Sequence, residues 1–413
     1  MSGPFESATA DVIVVGGGPA GVAAAVELRR QGVAHVVLLD REDELGGATR
    51  HCAHSPFGMR EFGRVYLGAA YGRRLAAEAA QAGVEVRTGH SVVRLEPGGR
   101  LEVASSSGVV TLSARRILIA TGARETPRSA RLIPGDRPLG IVTTGTLQSY
   151  AAFHGLMPFR RPLIVGSELV SQSALFTCLT HGARPVAMIE PGPHPLARAP
   201  FNWFPRLVGV PFHLGADIAD IRGTARVEEV TIRLADGTAH TLACDGVLLT
   251  GRFTPESALF RQSAVGVEPG SAGPAVDQDG RSRDPLVFAG GNLLRAVETG
   301  GWAFREGRAV GMAIAEDLAR DAEAGVPIPV GFEAPIKLVV PSLLRAGANA
   351  VPALPDFQLR FSRTASGRLS LEIDGREVWA RAGTWRPERR ILVPIPPGAA
   401  RAGSVRFRFR ETG

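Results

Sequence analysis

The sequence predicts an α/β protein with two Rossmann-like dinucleotide-binding domains, one inserted into the other, and a small C-terminal antiparallel β domain. Three observations carry this expectation. Val12 to Val15 form a short apolar run that ends in the turn GGGPAG, and Pro19 to Gln31 then carry helical spacing that stops at Gly32. The same layout of strand, turn, helix and strand recurs in RPLIVGSELVSQSALFTCLTHGARPVAMIE, a degenerate internal duplication. Beyond the Pro-containing stretch at 325–335, period-two alternation takes over at Phe357, Leu359 and Phe361, at Leu369, Leu371 and Ile373, and at Val405, Phe407 and Phe409.

Between these landmarks the elements follow in order. VVLLD ends at Asp40 and closes the first βαβ unit. Tyr71 to Gly83 reads as an amphipathic helix, VEVRTGHSVVRLE and LEVASSSGVVTL as a small antiparallel meander, and RRILIATGA as a buried strand. Val247 to Thr250 and LVFAGG are short buried-strand patterns that look like the return to the first unit, followed by a helix from about Gly301 to Ala319. The expected domains are residues 1–150 with 245–330, an insertion over 151–244, and a β domain over 333–413.

At 413 residues, 45% apolar and 21% charged, the chain can bury more than one core. Its net charge of +7 is Arg almost throughout, with Lys337 the sole lysine, and is dispersed among carboxylates rather than massed. With no recognisable binding module beside it, this charge does not indicate nucleic acid. A positive field would still speed encounter with an acidic partner protein. Cys52, Cys178 and Cys244 are far apart and odd in number, which fits a reducing compartment and rules out four-cysteine iron–sulfur ligation within the chain. MSGPFESATA leads straight into DVIVV, and no apolar run reaches membrane-spanning length, so the expectation is a cytoplasmic protein.

In Gly16-x-Gly18-x-x-Gly21, the first glycine permits the tight turn. The second lets backbone approach a pyrophosphate, and the third lets the helix pack close on the strand. Asp40 follows at the distance of an acidic residue that binds a ribose hydroxyl. The second motif is damaged. Gly166 keeps the turn, but Glu168 and Ser171 replace the other two glycines, and Glu168 brings bulk and negative charge toward an anion. Glu190 still stands where a ribose could be held, so this domain is expected to keep its fold while NAD(P) binding is doubtful.

GGGPAG, DREDELGG, IATGA and VFAGGN occur in the order and spacing of the FAD-binding halves of flavoprotein oxidoreductases. GGATRHCAHSPFGMREFG, ATGARETPR, TTGTLQ, GSELVSQSAL and GNLLRAVETGGWAFREGR narrow this further. Over roughly residues 10 to 320 the chain resembles the FAD-binding subunits of opine oxidases, hydrogen cyanide synthase and hydroxyproline dehydrogenases. The resemblance implies Gly16, Gly18 and Gly21 at the pyrophosphate, Asp40 at the adenosine ribose and Val92 against adenine, with Arg41 and Gly47 completing the cofactor set. It puts Thr121 and Gly122 near FAD where the domains meet. Asn292 would bind the ribityl chain, and Glu298, Thr299 and Trp302 would lie at a helix start beside the flavin ring. Trp302 reads equally well as a core aromatic.

Departures from the wider superfamily are informative. Where disulfide reductases of this fold carry Cys-x-x-x-x-Cys after the Gly46-Gly47 turn, this chain has Thr49 and His54, so there is no redox disulfide. His51, Cys52 and His54 should approach the flavin, either as proton carriers or as hydrogen-bonded packing residues. His-x-x-His with Cys52 lacks a fourth ligand placed by sequence and does not argue for zinc. The resemblance implies electrons moving between subunits, from an amine or amino-acid-like substrate or a catalytic partner protein. Any iron–sulfur step then resides in another chain. A self-sufficient NAD(P)H-dependent flavin reductase and an FAD-stabilised scaffold are the competing readings.

Overall fold

Branched side chains suit a buried pleat, and the chain opens on such a run. The computed structural model describes residues 9–54, 56–296, 298–320, 325–347, 349, 351–387 and 389–412. In it, β1 (Thr9–Val15) enters the glycine turn and α1 (Pro19–Arg30) leaves it, Pro19 presetting the first helical turn. There follow β2 (Val36–Leu39), α2 (Met59–Phe62), α3 (Gly68–Gln81), β3 (Glu85–Arg87) and a meander of β4 (Ser91–Glu96), β5 (Arg100–Ser105) and β6 (Gly108–Ile119). β6 serves twice: its first half pairs antiparallel with β5 and its second half parallel with β1.

The chain leaves this unit through β7 (Ala123–Glu125) and builds a second one. Its elements are β8 (Ile141–Thr143), α4 (Thr144–His154), β9 (Pro162–Val165), α5 (Leu169–Thr180), β10 (Ala187–Glu190), α6 (Phe204–Leu207), β11 (Phe212–Leu214), the hairpin strands β12 (Asp217–Arg222), β13 (Glu229–Arg233) and β14 (Ala239–Ala243), and β15 (Gly246–Leu249). It returns through β16 (Phe253–Pro255), antiparallel to β7, then α7 (Ala258–Arg261), β17 (Val287–Ala289) and α8 (Gly300–Arg320). β17 pairs parallel with β6, giving a parallel core in the order β3-β2-β1-β6-β17.

The second sheet runs β11-β10-β9-β15-β8. The α4, α5 and α6 layer packs one face through Leu147, Leu175, Cys178 and Phe204, and the β12-β13-β14 sheet covers the other through Ile218, Ile221 and Val230. The boundaries read from sequence at 150/151, within α4, and at 244/245, just before β15, leave β8 and β15 outside this unit, whereas β8 and β15 pair with one another and β15 with β9. Val247 to Leu249 is buried on both faces and would read alike in either sheet. Only its register opposite Leu163 to Val165 assigns it.

The third unit is a β sandwich of β18 (Pro327–Phe332), β19 (Ile336–Val340), β20 (Leu343–Arg345), β21 (Asp356–Phe361), β22 (Ala365–Ile373), β23 (Arg376–Trp385), β24 (Ile391–Pro394) and β25 (Val405–Glu411). One sheet is β20-β18-β25-β22-β23 and the other β19-β21-β24, with Phe357, Phe361, Leu369, Leu371 and Phe407 between them. It starts before residue 333, and it is not wholly antiparallel, since β18 and β25 pair parallel at Val330 and Val405. Alternation shows which face of a strand is buried and says nothing of its neighbour's direction.

Two contacts fix the parts. Gly307 and Gly311 on α8 let α1 approach so closely that an added Cβ would lie 2.0 Å from the Ala20 carbonyl oxygen and 2.7 Å from that of Ala24. Arg345 on β20 reaches the buried Asp277 at 3.0 Å, while the Gln278 amide bonds the Arg345 backbone through both its ends. Removing one partner of a buried ion pair strands the other charge. Arg345→Met should therefore cost about 3–5 kcal/mol in thermal or urea unfolding; a loss below 1 kcal/mol would mean the pair is solvated.

Candidate functional site

Three glycines shape the first turn, each for a different physical reason. A Cβ on Gly16, at φ +107°, would meet the Ala120 carbonyl oxygen at 2.5 Å, and one on Gly21 would meet the Gly16 carbonyl oxygen at 1.9 Å. A Cβ on Gly18 would meet nothing within 4 Å, so open space lies above that peptide, as approach of a pyrophosphate requires. The Gly17 N–H donates to Asp40 Oδ2 at 2.6 Å, and the Gly17 carbonyl accepts the Gly46 N–H at 2.8 Å. Gly47, at φ +55°, lies against Gly18. Two glycine turns thus form one cradle at the head of α1. Burial raises the Asp40 pKa, opposed by hydrogen bonds from the backbone of Glu42 and Gly17. Arg41 is exposed beside Glu42, and the His90 N–H donates to the Asp40 carbonyl, laying the segment before Val92 alongside the acidic turn.

Thr121 and Gly122 sit at the crossing to the second unit, where the Thr121 hydroxyl donates to the Glu256 carbonyl and the Glu256 N–H to the Gly122 carbonyl. Asn292 uses both ends of its amide on the Glu298 backbone, at 2.8 and 3.0 Å, and so pins the turn before α8. Thr299 accepts the N–H groups of Trp302 and Ala303. The Glu298 carboxylate turns toward the β sandwich, bonding Arg360 at 3.2 Å and Arg390 at 2.8 Å. Arg390 also lies 3.9 Å from the centre of the Trp302 ring, with Arg60 and Arg305 further round it. The sandwich therefore reaches the start of α8, which the sequence did not reveal because the arginines lie more than 60 residues away.

His51 and Cys52 are gathered at the cradle's edge. Burial, then the Arg50 charge, lowers the His51 pKa to about 4, so its imidazole is neutral at pH 7. Burial and the nearby Glu125 push the Cys52 thiol up to about 12, and its Sγ donates to the Ala48 carbonyl. A protonated thiol is neither nucleophile nor metal ligand. His54 stacks on Phe57 at 5.2 Å between ring centres. Among the described residues, no group of three His, Cys, Asp or Glu side chains could hold a metal ion. Glu125 escaped sequence reading, although a carboxylate in the apolar ATGARE run was its signal. Buried at the crossing, it accepts the Gly145 N–H at 2.8 Å and the Gly251 N–H at 3.1 Å.

The second turn has the same frame with different contents. Gly166 keeps φ +119°, but Glu168 Oε1 stands 1.9 Å from where a Cβ on Gly251 would be, filling the mouth. The Ser171 hydroxyl donates to Glu168 Oε2 at 3.1 Å. Glu190 is buried and occupied internally, accepting the Ser167 hydroxyl at 2.6 Å and the Gly192 N–H at 2.8 Å. The N–H groups of Leu196 and Ala197 close onto Ser167 from above. These residues do not fit a dinucleotide: the Glu168 side chain takes space a pyrophosphate needs and sets a carboxylate against its negative charge.

An open cradle, its acidic partner and a second unit of the same frame define a protein with two dinucleotide-binding-type domains. The chain belongs to the pyridine nucleotide-disulphide oxidoreductase family, which it matches over residues 10–307. It is 29% identical over 275 residues to an opine oxidase subunit of Rhizobium meliloti (strain 1021), covering 61% of this chain and 58% of that one. It is 28% identical over 247 residues to hydrogen cyanide synthase subunit HcnB of Pseudomonas aeruginosa, covering 53% and 50%. The chain thus spans little more than half the length of these relatives. Among solved structures, thioredoxin reductase from T. acidophilum shares the fold with a TM-score of 0.63 at 21% identity, covering 75% of this chain and 98% of that one. L-proline dehydrogenase from P. horikoshii does so at 0.60 and 18%, covering 78% and 58%. No helix among the described residues is long and apolar enough to cross a membrane.

Gly18→Ala should leave the apoprotein folded and lower FAD affinity at least tenfold, whereas Gly21→Ala should disrupt the fold itself. Flavin absorbance and unfolding curves separate the two effects, and equal loss of stability in both would refute the division of roles. His51, with a folded pKa below its unfolded value, destabilises the native state as pH falls from about 6.5 toward 4, because the unfolded chain binds more protons there. Unfolding titrations of His51→Asn should show a shallower decline across that window.

Proposed function

We propose that this chain is the flavin-carrying subunit of a heteromeric dehydrogenase or oxidase. It would take electrons from an amine, imino acid or opine-type compound, directly or through a catalytic partner protein, and hand them to another carrier. The observation that carries the reading is the contrast between an open first cradle and a second one filled by Glu168 and closed by Leu196 and Ala197. Relatives named as oxidase and synthase subunits support it.

FAD, when bound, supplies a two-electron acceptor for oxidation at a C–N bond. Gly300 and Gly301 open α8, where the partial positive charge of the helix start favours anionic character, with the Phe57 ring and the Glu61 carboxylate packed against the two glycines. In this reading the neutral His51 imidazole hydrogen-bonds the substrate rather than serving as its base, since a pKa lowered to about 4 makes it a weak proton acceptor at pH 7, Cys52 stays a thiol, and His54 lies against Phe57. Cys52, Cys178 and Cys244 are too few to ligate an iron–sulfur cluster, so any iron–sulfur step would use ligands outside this sequence.

An anaerobic visible spectrum of the purified chain should show oxidised flavin that persists for minutes after NADH or NADPH is added. Bleaching within seconds would overturn the proposal in favour of a self-sufficient NAD(P)H-dependent flavin reductase. In the assembled complex, His51→Leu should lower kcat/KM about tenfold through loss of one hydrogen bond, and Cys52→Ser should leave it within a factor of about two because no thiolate is used.

A further inference from the structure

The inserted domain has lost the space for a dinucleotide yet keeps an outer face that no other part of the described chain covers. Six aromatic side chains are strongly exposed among the described residues, and five of them lie on one layer, Tyr150 and Phe153 on α4, Phe176 on α5, and Phe201 and Trp203 in the turn that leads into α6. Leu169, 53% exposed, and Leu207, 79% exposed, extend the same apolar face. Their neighbours Leu147, Ala174, Leu175, Cys178 and Phe204 pack inward on the sheet, so the exposed set points away from it. Exposed apolar side chains gathered on adjoining elements of one layer mark an interaction site, and exposed Trp, Tyr and Phe are the residues that anchor protein interfaces.

Charge selects the occupant. Over residues 144–210 the only carboxylates are Glu168 and Glu190, both bonded into the chain's own closed turn, against five arginines, Arg160, Arg161, Arg184, Arg198 and Arg206. All five are exposed, and Arg198 and Arg206 flank Phe201 and Trp203 without an ion pair among the described residues. A second copy of this chain would bring the same positive face against itself, and like-charge juxtaposition opposes that pairing. A different chain with an acidic rim meets no such penalty. Position points the same way: Phe153 lies 6.2 Å from the His51 ring and 5.0 Å from the Arg50 guanidinium. The face is therefore continuous with the segment at the edge of the flavin cradle.

We propose that the outer face of α4, α5 and α6 docks a different protein chain, acidic at its rim, that exchanges substrate or electrons at the flavin. This rests on the heteromeric reading above and assigns it a surface. The test uses the full chain, tagged and expressed in the cells it comes from, with the photo-crosslinker benzoylphenylalanine placed at Phe176, at Trp203 or at Phe332, the sixth exposed aromatic, on the β sandwich.

The expected result is one cross-linked partner at Phe176 and Trp203 and none at Phe332, with a net negative cross-linked peptide by mass spectrometry. Phe176→Glu and Trp203→Glu should then reduce recovered partner at least tenfold while flavin content and melting temperature stay unchanged. Cross-linking to a second copy of this chain, a basic peptide, or an intact complex in both variants would overturn the surface and leave the heteromeric reading standing. A chain recovered alone that turns over its substrate unaided would overturn both.

Discussion

The peptide of Gly17 is held from two sides, its N–H by the Asp40 carboxylate and its carbonyl by the Gly46 N–H, and the flavin half is organised around that pair of bonds. They tie the end of β1 to the end of β2 and to the turn that follows it, so three separate stretches of chain meet at the head of α1. Asp40 can be buried there because its oxygens accept the Gly17 and Glu42 N–H groups, which offset part of the desolvation cost. α8 reaches the same point only because Gly307 and Gly311 admit the backbone of α1.

The inserted domain repeats the frame and changes the chemistry at each equivalent point. Ser167 stands where Gly17 does, and its hydroxyl, rather than a bare peptide, reaches the acidic residue at the end of the second strand. Glu168 replaces the glycine whose missing side chain would leave room for phosphate, and bends back to Ser171. The result satisfies its polar groups internally, which is why a fold built to bind an anion can keep its shape with a carboxylate in the mouth.

Much of this was legible in the sequence. The glycine spacing, the distance to Asp40, the duplication and the loss of the second glycine are local patterns, and the cradle and the filled turn follow from them. Long-range pairing left less trace. Val247 to Leu249 carries no mark of which sheet it joins, and the parallel pairing of β18 with β25 brings together residues some 75 positions apart. The resemblance placed Glu298 beside the flavin ring, but its carboxylate answers to Arg360 and Arg390 on the sandwich, and Asn292 binds the Glu298 backbone. Those partners are set by domain docking, which a helix-start motif does not encode.

The inserted helices brace the first unit as well. Gln148 on α4 accepts from Cys52 at 3.8 Å and donates to Ser173 on α5 at 2.8 Å, while Phe153 covers Arg50 and Glu125 holds the N-terminus of α4 to the crossing strands. Residues 50–52 are therefore set in place by the inserted helices as well as by their own turn. The outer layer of those helices is thus mechanically linked to residues 50–52.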